Sequence, residues 1–189
     1  LYSTYLGGFG NELCWDLAVD SAGRATLTGS TAAADFPTTP GAFDTSLDSW
    51  YDAFVTRFNA DASALEYSTF IGGDNADYSH AVAVDSAGNA TITGYTHSPN
   101  FPVTPDAADS SYDAQEIFNA KLNTDGSALS YASFLGGADS EYTTDIAVDD
   151  TGRVYLTGTT RSPDFPVTVG AFDTTYNTTA DYSGDAFLL

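Results

Sequence analysis

The sequence predicts an all-β fold made of three tandem units, and three observations lead to this prediction. One pattern recurs at spacings of 65 and 64 residues, as residues 2–8, 67–73 and 131–137. In each copy, short runs rich in Val, Ile, Thr and Phe alternate with turns rich in Gly, Asp and Asn, which is typical of strands. No segment has the 3.6-residue apolar period of an amphipathic helix. We divide the single segment 1–189 into repeats of approximately 1–65, 66–129 and 130–189.

Each repeat unit contains four strands. The first two form a hairpin, as in residues 81–85 and 90–94, whose turn contains Gly88; glycine tolerates the positive φ that a tight turn needs. The third and fourth, such as residues 53–58 and 65–71, flank a polar turn. A long loop beginning with Phe-Pro separates the two pairs, and its Pro, Gly, Thr and Asp content favours ordered loop over helix.

Four short strands repeated in tandem are typical of β-propeller blades, although about 65 residues exceeds the common blade length of about 40–50. The chain begins on a fourth strand and ends on a third. Three blades cannot surround an axis, since propellers have about 4–8. We therefore expect the last four-stranded antiparallel blade to be completed by strand exchange between chains, or the blades to belong to a larger ring. The residues expected to form the exchanging strands are Tyr2, Thr4, Leu6, Ala186, Phe187 and Leu188.

The composition limits the partners. The chain has 26 Asp and Glu against 5 Lys and Arg, giving a net charge of −21, while 42% of its residues are hydrophobic. This is enough apolar material for a core, and a field this negative repels phosphate backbones and anionic lipids. There is no apolar run of about 18 residues. We expect no nucleic-acid partner and no membrane insertion, and the lack of methionine favours a mature or excised piece.

A family resemblance follows from several submotifs that recur together. They are Tyr-Ser-Thr-Phe-Ile-Gly-Gly at 67–73, Ala-Val-Asp-Ser-Ala-Gly-Asn-Ala at 83–90, Phe-Pro-Val-Thr-Pro at 101–105 and Phe-Asn-Ala-Lys-Leu-Asn at 118–123. Together they resemble the SBBP-type β-propeller repeat, a family found in large secreted or surface-exposed microbial proteins. The resemblance implies a propeller fold and an extracellular or cell-surface location, and it carries no catalytic motif.

Metal binding is an alternative use of the acidic residues, because oxygen-rich loops suit calcium. Four acids follow the Gly-Gly pairs and are weak candidates for a cluster formed across repeats: Asp74, Asp77, Asp139 and Glu141. No complete calcium-loop signature is present. Turn Asp and Asn residues more commonly bond their own backbone, so we expect no cofactor and keep calcium as the alternative.

Catalysis has little support. The two histidines, His80 and His97, have no equivalents in the other repeats, and no local signature locks either as a base. Paired carboxylates could serve a glycosidase, with aromatic platforms drawn from loops and strand starts. The aromatic candidates are Trp15, Trp50, Tyr51, Tyr112, Tyr176 and Tyr182. We favour a core or loop-stapling role for them and predict no catalytic residue.

The single cysteine and two asparagines carry the remaining residue predictions. Cys14 has no partner cysteine and is expected to be a small buried side chain. Asn89 and Asn177 begin Asn-x-Thr sequons and are glycosylation candidates.

The sequence thus predicts a non-catalytic secreted or cell-surface scaffold or adhesion module that self-associates, with a polysaccharide or surface protein as further partner. A polysaccharide-active enzyme domain with axial carboxylates and a subunit of an extracellular filament are the alternatives.

Overall fold

A computed structural model describes residues 2–113, 115–177 and 184–189. These residues form strands and loops without a helix, in three antiparallel sheets. The first sheet contains β1 (Glu12–Val19), β2 (Ala25–Thr31), β3 (Asp52–Phe58) and β4 (Leu65–Ile71). The second contains β5 (Asp77–Val84), β6 (Ala90–Thr96), β7 (Glu116–Leu122) and β8 (Leu129–Leu135). The third contains β9 (Glu141–Val148), β10 (Val154–Thr160) and β11 (Asp185–Leu188). The all-β prediction is confirmed.

Strands follow one another in each sheet in chain order, so each sheet is a simple meander. The first hairpin of the second sheet turns at Gly88, whose φ is +91° and whose N–H donates to the Asp85 carbonyl at 2.9 Å. Gly23 and Gly152 occupy the equivalent turns of the first and third sheets, with φ of +81° and +83°. The hairpins predicted from glycine position are therefore confirmed.

A bulge interrupts the first strand of every sheet. In the second sheet Ser79 pairs with Gly94 and Ala81 with Thr93, which leaves His80 as the extra residue. A Cβ on Gly94 would overlap the Tyr78 carbonyl oxygen. The glycine of the Thr-Gly pair that recurs in the sequence is thus needed, because the bulged strand approaches the backbone of its neighbour too closely for a Cβ.

The three sheets stack face to face. Strand β5 packs on β1 and β2, and β9 packs on β5 and β6. We call the face of a sheet that packs on the preceding sheet its entry face, and the opposite face its exit face. The first strands lie next to one another, as in the innermost strands of propeller blades. The side chains buried between the first and second sheets include Val55, Tyr67, Ile71, Val82 and Phe118.

Residues 2–8 do not form a strand in the isolated chain. The sequence predicts a fourth strand over Tyr2 to Leu6, and such a strand needs a third strand beside it. None of the described strands lies beside residues 2–6, so the backbone of this segment has no ladder partner among the described residues. By contrast, the predicted last strand is present as β11, which pairs with β10 from Asp185 to Leu188. Among the described residues there is no helix long and apolar enough to cross a membrane.

Candidate functional site

The entry face of the first sheet is uncovered. Leu17 is 57% exposed, whereas the residues at the same place in the second and third sheets, Val82 and Ile146, are 4% and 7% exposed. Val19, next on the same face, is 59% exposed. The difference arises because each of the later sheets has a preceding sheet to cover it. The first sheet thus presents an uncovered apolar face, equivalent to the covered entry faces of the second and third sheets.

The exit face of the third sheet, at the other end of the stack, is also uncovered. Leu188 on β11 is 77% exposed, while Val55, the equivalent residue of β3, is fully buried. Phe172, in the loop before β11, is fully exposed. Its equivalent Phe43 donates its N–H to the Gly126 carbonyl of the next sheet at 2.8 Å and packs on the shared core.

Cys14 is exposed, so the expectation that it is buried is wrong. Its equivalents Ser79 and Thr143 are buried. The Ser79 hydroxyl lies 2.7 Å from Thr28 Oγ1 of the preceding sheet. Cys14 faces outwards because the first sheet has no preceding sheet, and burial raises the pKa of its thiol only to the extent that its own sheet shields it.

The segment before β1 already follows the path of a preceding blade. Leu6 packs against Phe36, Phe54 and Phe70 of the first sheet, as Ile71 packs against the matching phenylalanines of the second. The Gly8 N–H donates to Glu12 Oε1 at 3.2 Å, and the Gly73 N–H likewise donates to Asp77 Oδ2 at 2.8 Å. Leu6 and Gly8 therefore lie on the first sheet much as Ile71 and Gly73 lie on the second.

Polar contacts cross the first sheet-to-sheet interface at defined points. Asp16 Oδ2 accepts the Val82 N–H at 2.9 Å, which satisfies a backbone donor beside the bulge. Arg57 is 1% exposed and donates from Nη1 to the Gly88 carbonyl of the next sheet at 2.7 Å. Its guanidinium also lies 5.0 Å from the centre of the Tyr67 ring. These contacts fix the register in which one sheet stacks on the next.

Two buried carboxyl groups meet where the first and second sheets join. Asp52 begins β3 and Asp77 begins β5, and they are 1% and 0% exposed. Asp52 Oδ1 and Asp77 Oδ2 lie 3.1 and 2.7 Å from the point where a Cβ on Gly72 would stand. Asp52 Oδ2 accepts the Asp48 N–H at 2.9 Å, and Asp77 Oδ2 accepts from Ser98 Oγ at 2.9 Å. Gly72 leaves room for both groups.

The arrangement recurs between the second and third sheets. Glu116 begins β7 and Glu141 begins β9, and they are 2% and 0% exposed. Their Oε2 atoms lie 2.5 and 2.7 Å from the place of a Cβ on Gly136. Asp52 and Glu116 are not among the acids that the sequence motifs predict. An acid at the first position of every third strand, where the last copy has Asp185, is the signal that would have found them.

Burial governs the protonation of these groups. Burial raises the pKa of Asp52 to about 7, and the nearby charge of Asp77 adds to the rise. Burial also raises the pKa of Asp77, to about 6, against the hydrogen bonds that it accepts from Gly73 and Ser98. The pKa of Glu141 is raised by burial as well. A carboxyl pair in this setting holds a proton in a pH range where isolated carboxylates are ionised.

The metal candidates fall into two kinds of position. Asp77 and Glu141 belong to the buried pairs, whereas Asp74 and Asp139 lie in exposed turns. There the Asp74 N–H donates to Asn100 Oδ1 at 3.0 Å and the Asp139 N–H to Ser162 Oγ at 2.8 Å. Across residues 2–113, 115–177 and 184–189, no three or more His, Cys, Asp or Glu side chains converge as metal ligands.

A connected set of aromatic rings crosses all three sheets, and we call it the aromatic stripe. Tyr95 is at its centre, with ring centroids 4.9 Å from Tyr78, 5.1 Å from His80 and 6.1 Å from Tyr142. The stripe extends to Trp15, 5.6 Å from His80. Its remaining members are Tyr51 and His97. Trp15 is 55% and Tyr142 37% exposed, so the stripe has faces open to a ligand.

The other aromatic candidates lie elsewhere. Tyr112 packs edge-on against Phe134 of its own sheet at 5.9 Å, which fits the expected stapling role. Trp50 is 87% exposed and staples nothing to its sheet. Tyr176 is half-buried in the loop before β11. Tyr182 lies outside the described residues.

The two sequon asparagines differ in their surroundings. Asn89 donates from Nδ2 to Asp85 Oδ2 at 2.8 Å within the hairpin turn, so a glycan there would displace a turn contact. Asn177 is exposed, with its Nδ2 donating to Asp173 Oδ2 at 3.1 Å. Asn177 remains the better candidate.

A family model described as SBBP, a beta-propeller repeat, matches residues 66–102 and 135–166. These segments each contain the last residues of one sheet and the first hairpin of the next. No curated protein matches the sequence.

Proposed function

We propose that this chain is a non-catalytic scaffold or adhesion module, located outside the cell or on its surface, and that it self-associates through its terminal strands. It carries SBBP β-propeller repeats at residues 66–102 and 135–166. The observation that carries the proposal is the pair of uncovered faces at the two ends of the stack. An unpaired strand edge and an exposed apolar face together are a template for joining another chain. The extracellular location rests on the family resemblance.

The carboxyl pairs favour a scaffold over a polysaccharide-active enzyme. A glycosidase needs two carboxyl groups that reach the substrate. Asp52, Asp77, Glu116 and Glu141 are each at most 2% exposed, so a polysaccharide cannot contact them in this conformation. Their position between sheets fits a structural role.

Self-association is expected to give a mass above the 19.8 kDa of one chain, and the mass should rise with protein concentration. Size-exclusion chromatography with light scattering measures it. Deleting residues 1–8 removes the segment predicted to pair with β11 of another copy, so the deletion should return the mass to that of a monomer. Circular dichroism checks that the shortened chain keeps its β structure. A strict monomer at high concentration, or a deletion that leaves the mass unchanged, would refute strand exchange.

The aromatic stripe favours a second function, binding of a neutral polysaccharide. Exposed Trp and Tyr rings offer broad apolar faces with polar edges, and a chain of net charge −21 would repel acidic polymers. Binding to insoluble cellulose and chitin, measured by co-sedimentation, is the test. Trp15→Ala and Tyr142→Ala should each weaken binding about tenfold, since one lost ring contact is worth about 1.4 kcal/mol. Trp50→Ala, which removes a more exposed tryptophan outside the stripe, should have no effect; equal loss in all three variants would contradict the site.

A further inference from the structure

Building on the self-association proposed above, we infer that the entry face of the first sheet binds the exit face of the third sheet of a second copy, in the same register as the two sheet-to-sheet interfaces inside the chain. Those internal interfaces are the evidence. The chain stacks the first sheet on the second and the second on the third by one repeated geometry. The two faces left at the ends are the same two faces that meet in each internal contact.

The apolar side chains match across the inferred contact. Four apolar residues of the two faces are largely exposed: Leu17, Val19, Phe172 and Leu188. Their internal counterparts are all part of the core between the first and second sheets: Val82, Val84, Phe43 and Val55. Moving these side chains from water into such a contact is favourable because apolar surface leaves water. The exposed set therefore has the position and the apolar character of an interface.

The terminal strand segments meet in the same arrangement. Leu6 of one copy already packs on the first sheet, as Ile71 of β4 packs on the second. Stacking places residues 2–6 beside β11 of the other copy, whose outer edge lacks a fourth strand among the described residues. The register also brings Asp185 next to Glu12, the combination that the chain already buries as Asp52 and Asp77.

One pair of residues makes the contact testable. Thr28 Oγ1 and Ser79 Oγ lie 2.7 Å apart across the first internal interface. The equivalent residues on the outer faces are Thr157 on β10 and Cys14 on β1. In the inferred contact, Thr157 of one copy therefore lies against Cys14 of the next, close enough for a disulfide if Thr157 is replaced by cysteine.

The experiment is oxidative cross-linking of the Thr157→Cys chain, read on non-reducing gels. We expect a ladder of covalent dimers and larger multiples, at least about tenfold more abundant than from Ser130→Cys, because docking raises the effective concentration of the two thiols. Ser130 is exposed and lies on β8, away from both outer faces. The variant Thr157→Cys with Cys14→Ser should lose the ladder, since larger multiples need both thiols.

An internal control tests the geometry itself. Thr28→Cys with Ser79→Cys, in a Cys14→Ser background, should form a disulfide within one chain. If this control closes and Thr157→Cys gives no ladder, the face-to-face contact is refuted. If light scattering of the unmodified chain still shows self-association in that case, copies join by another surface and the proposed self-association stands without this contact. A monomeric chain that gives no ladder would overturn both.

Discussion

Substituting Gly94 with alanine is expected to remove most of the stability of the second sheet, lowering the free energy of unfolding by about 4 kcal/mol or more. The added Cβ would overlap the Tyr78 carbonyl oxygen and stand 2.7 Å from the Ser79 Cα. Both are backbone atoms of the paired strand, so neither can rotate away as a side chain could. The bulge at His80 and the adjoining interface with the first sheet would have to open. Chemical denaturation followed by fluorescence measures the loss.

Gly23→Ala is the matched control. Gly23 has a φ of +81° and no atom near its missing Cβ, so the substitution adds conformational strain without a clash. It should cost about 1–2 kcal/mol. Equal losses for the two variants would contradict the argument that the close approach of the bulged strand requires a glycine at position 94.

The free energy of unfolding is expected to fall as the pH rises from about 5 to 8, by an amount on the order of 3 kcal/mol. The pKa values of Asp52 and Asp77 are raised to about 7 and about 6 in the folded protein, from 3.8. Between these values the folded chain binds more protons than the unfolded chain. The stabilisation is therefore complete below the unfolded pKa and is lost as the pH rises through the folded pKa values.

Asp52→Asn should flatten this pH dependence, because an amide cannot ionise and its Oδ1 can still accept the Asp48 N–H. Denaturation curves between pH 5 and 8 measure the slope. Asp85→Asn is the control: burial acts to raise the pKa of Asp85, but hydrogen bonds from Lys121 and Asn89 outweigh it and lower the pKa to about 2. That group affects stability only in acid, so Asp85→Asn should keep the slope above pH 5. A wild-type slope in Asp52→Asn would contradict the role of the carboxyl pair.

Features that depend on residues close in sequence are predicted correctly, whereas features that depend on distant residues are not. The predicted fourth strand over residues 65–71 is β4 to the residue, and the turn at Gly88 forms as expected, because both depend on residues close in sequence. Tyr2 to Leu6 has the same pattern as β4 yet forms no strand. A strand exists only beside a partner, and none of the described strands pairs with this segment.

The candidate sites show the same dependence on distance along the chain. Their place after a Gly-Gly pair marks Asp77 and Glu141 in the sequence, but their partners Asp52 and Glu116 lie far away in sequence and approach only when sheets stack. The sequence predicts a buried Cys14, as its equivalents Ser79 and Thr143 are. It is exposed because burial at this position depends on a preceding sheet.

The sequence by itself determined the three repeats, the order of strands and turns, and the likeness to β-propeller repeats, because these follow from local residue patterns and their spacing. Only the tertiary structure decided which acids share a buried site, which aromatic rings form one stripe and which apolar faces stay open. Those features depend on contacts between sheets, and a local pattern that is identical in every repeat cannot distinguish a sheet with a neighbour from one at the end of the stack.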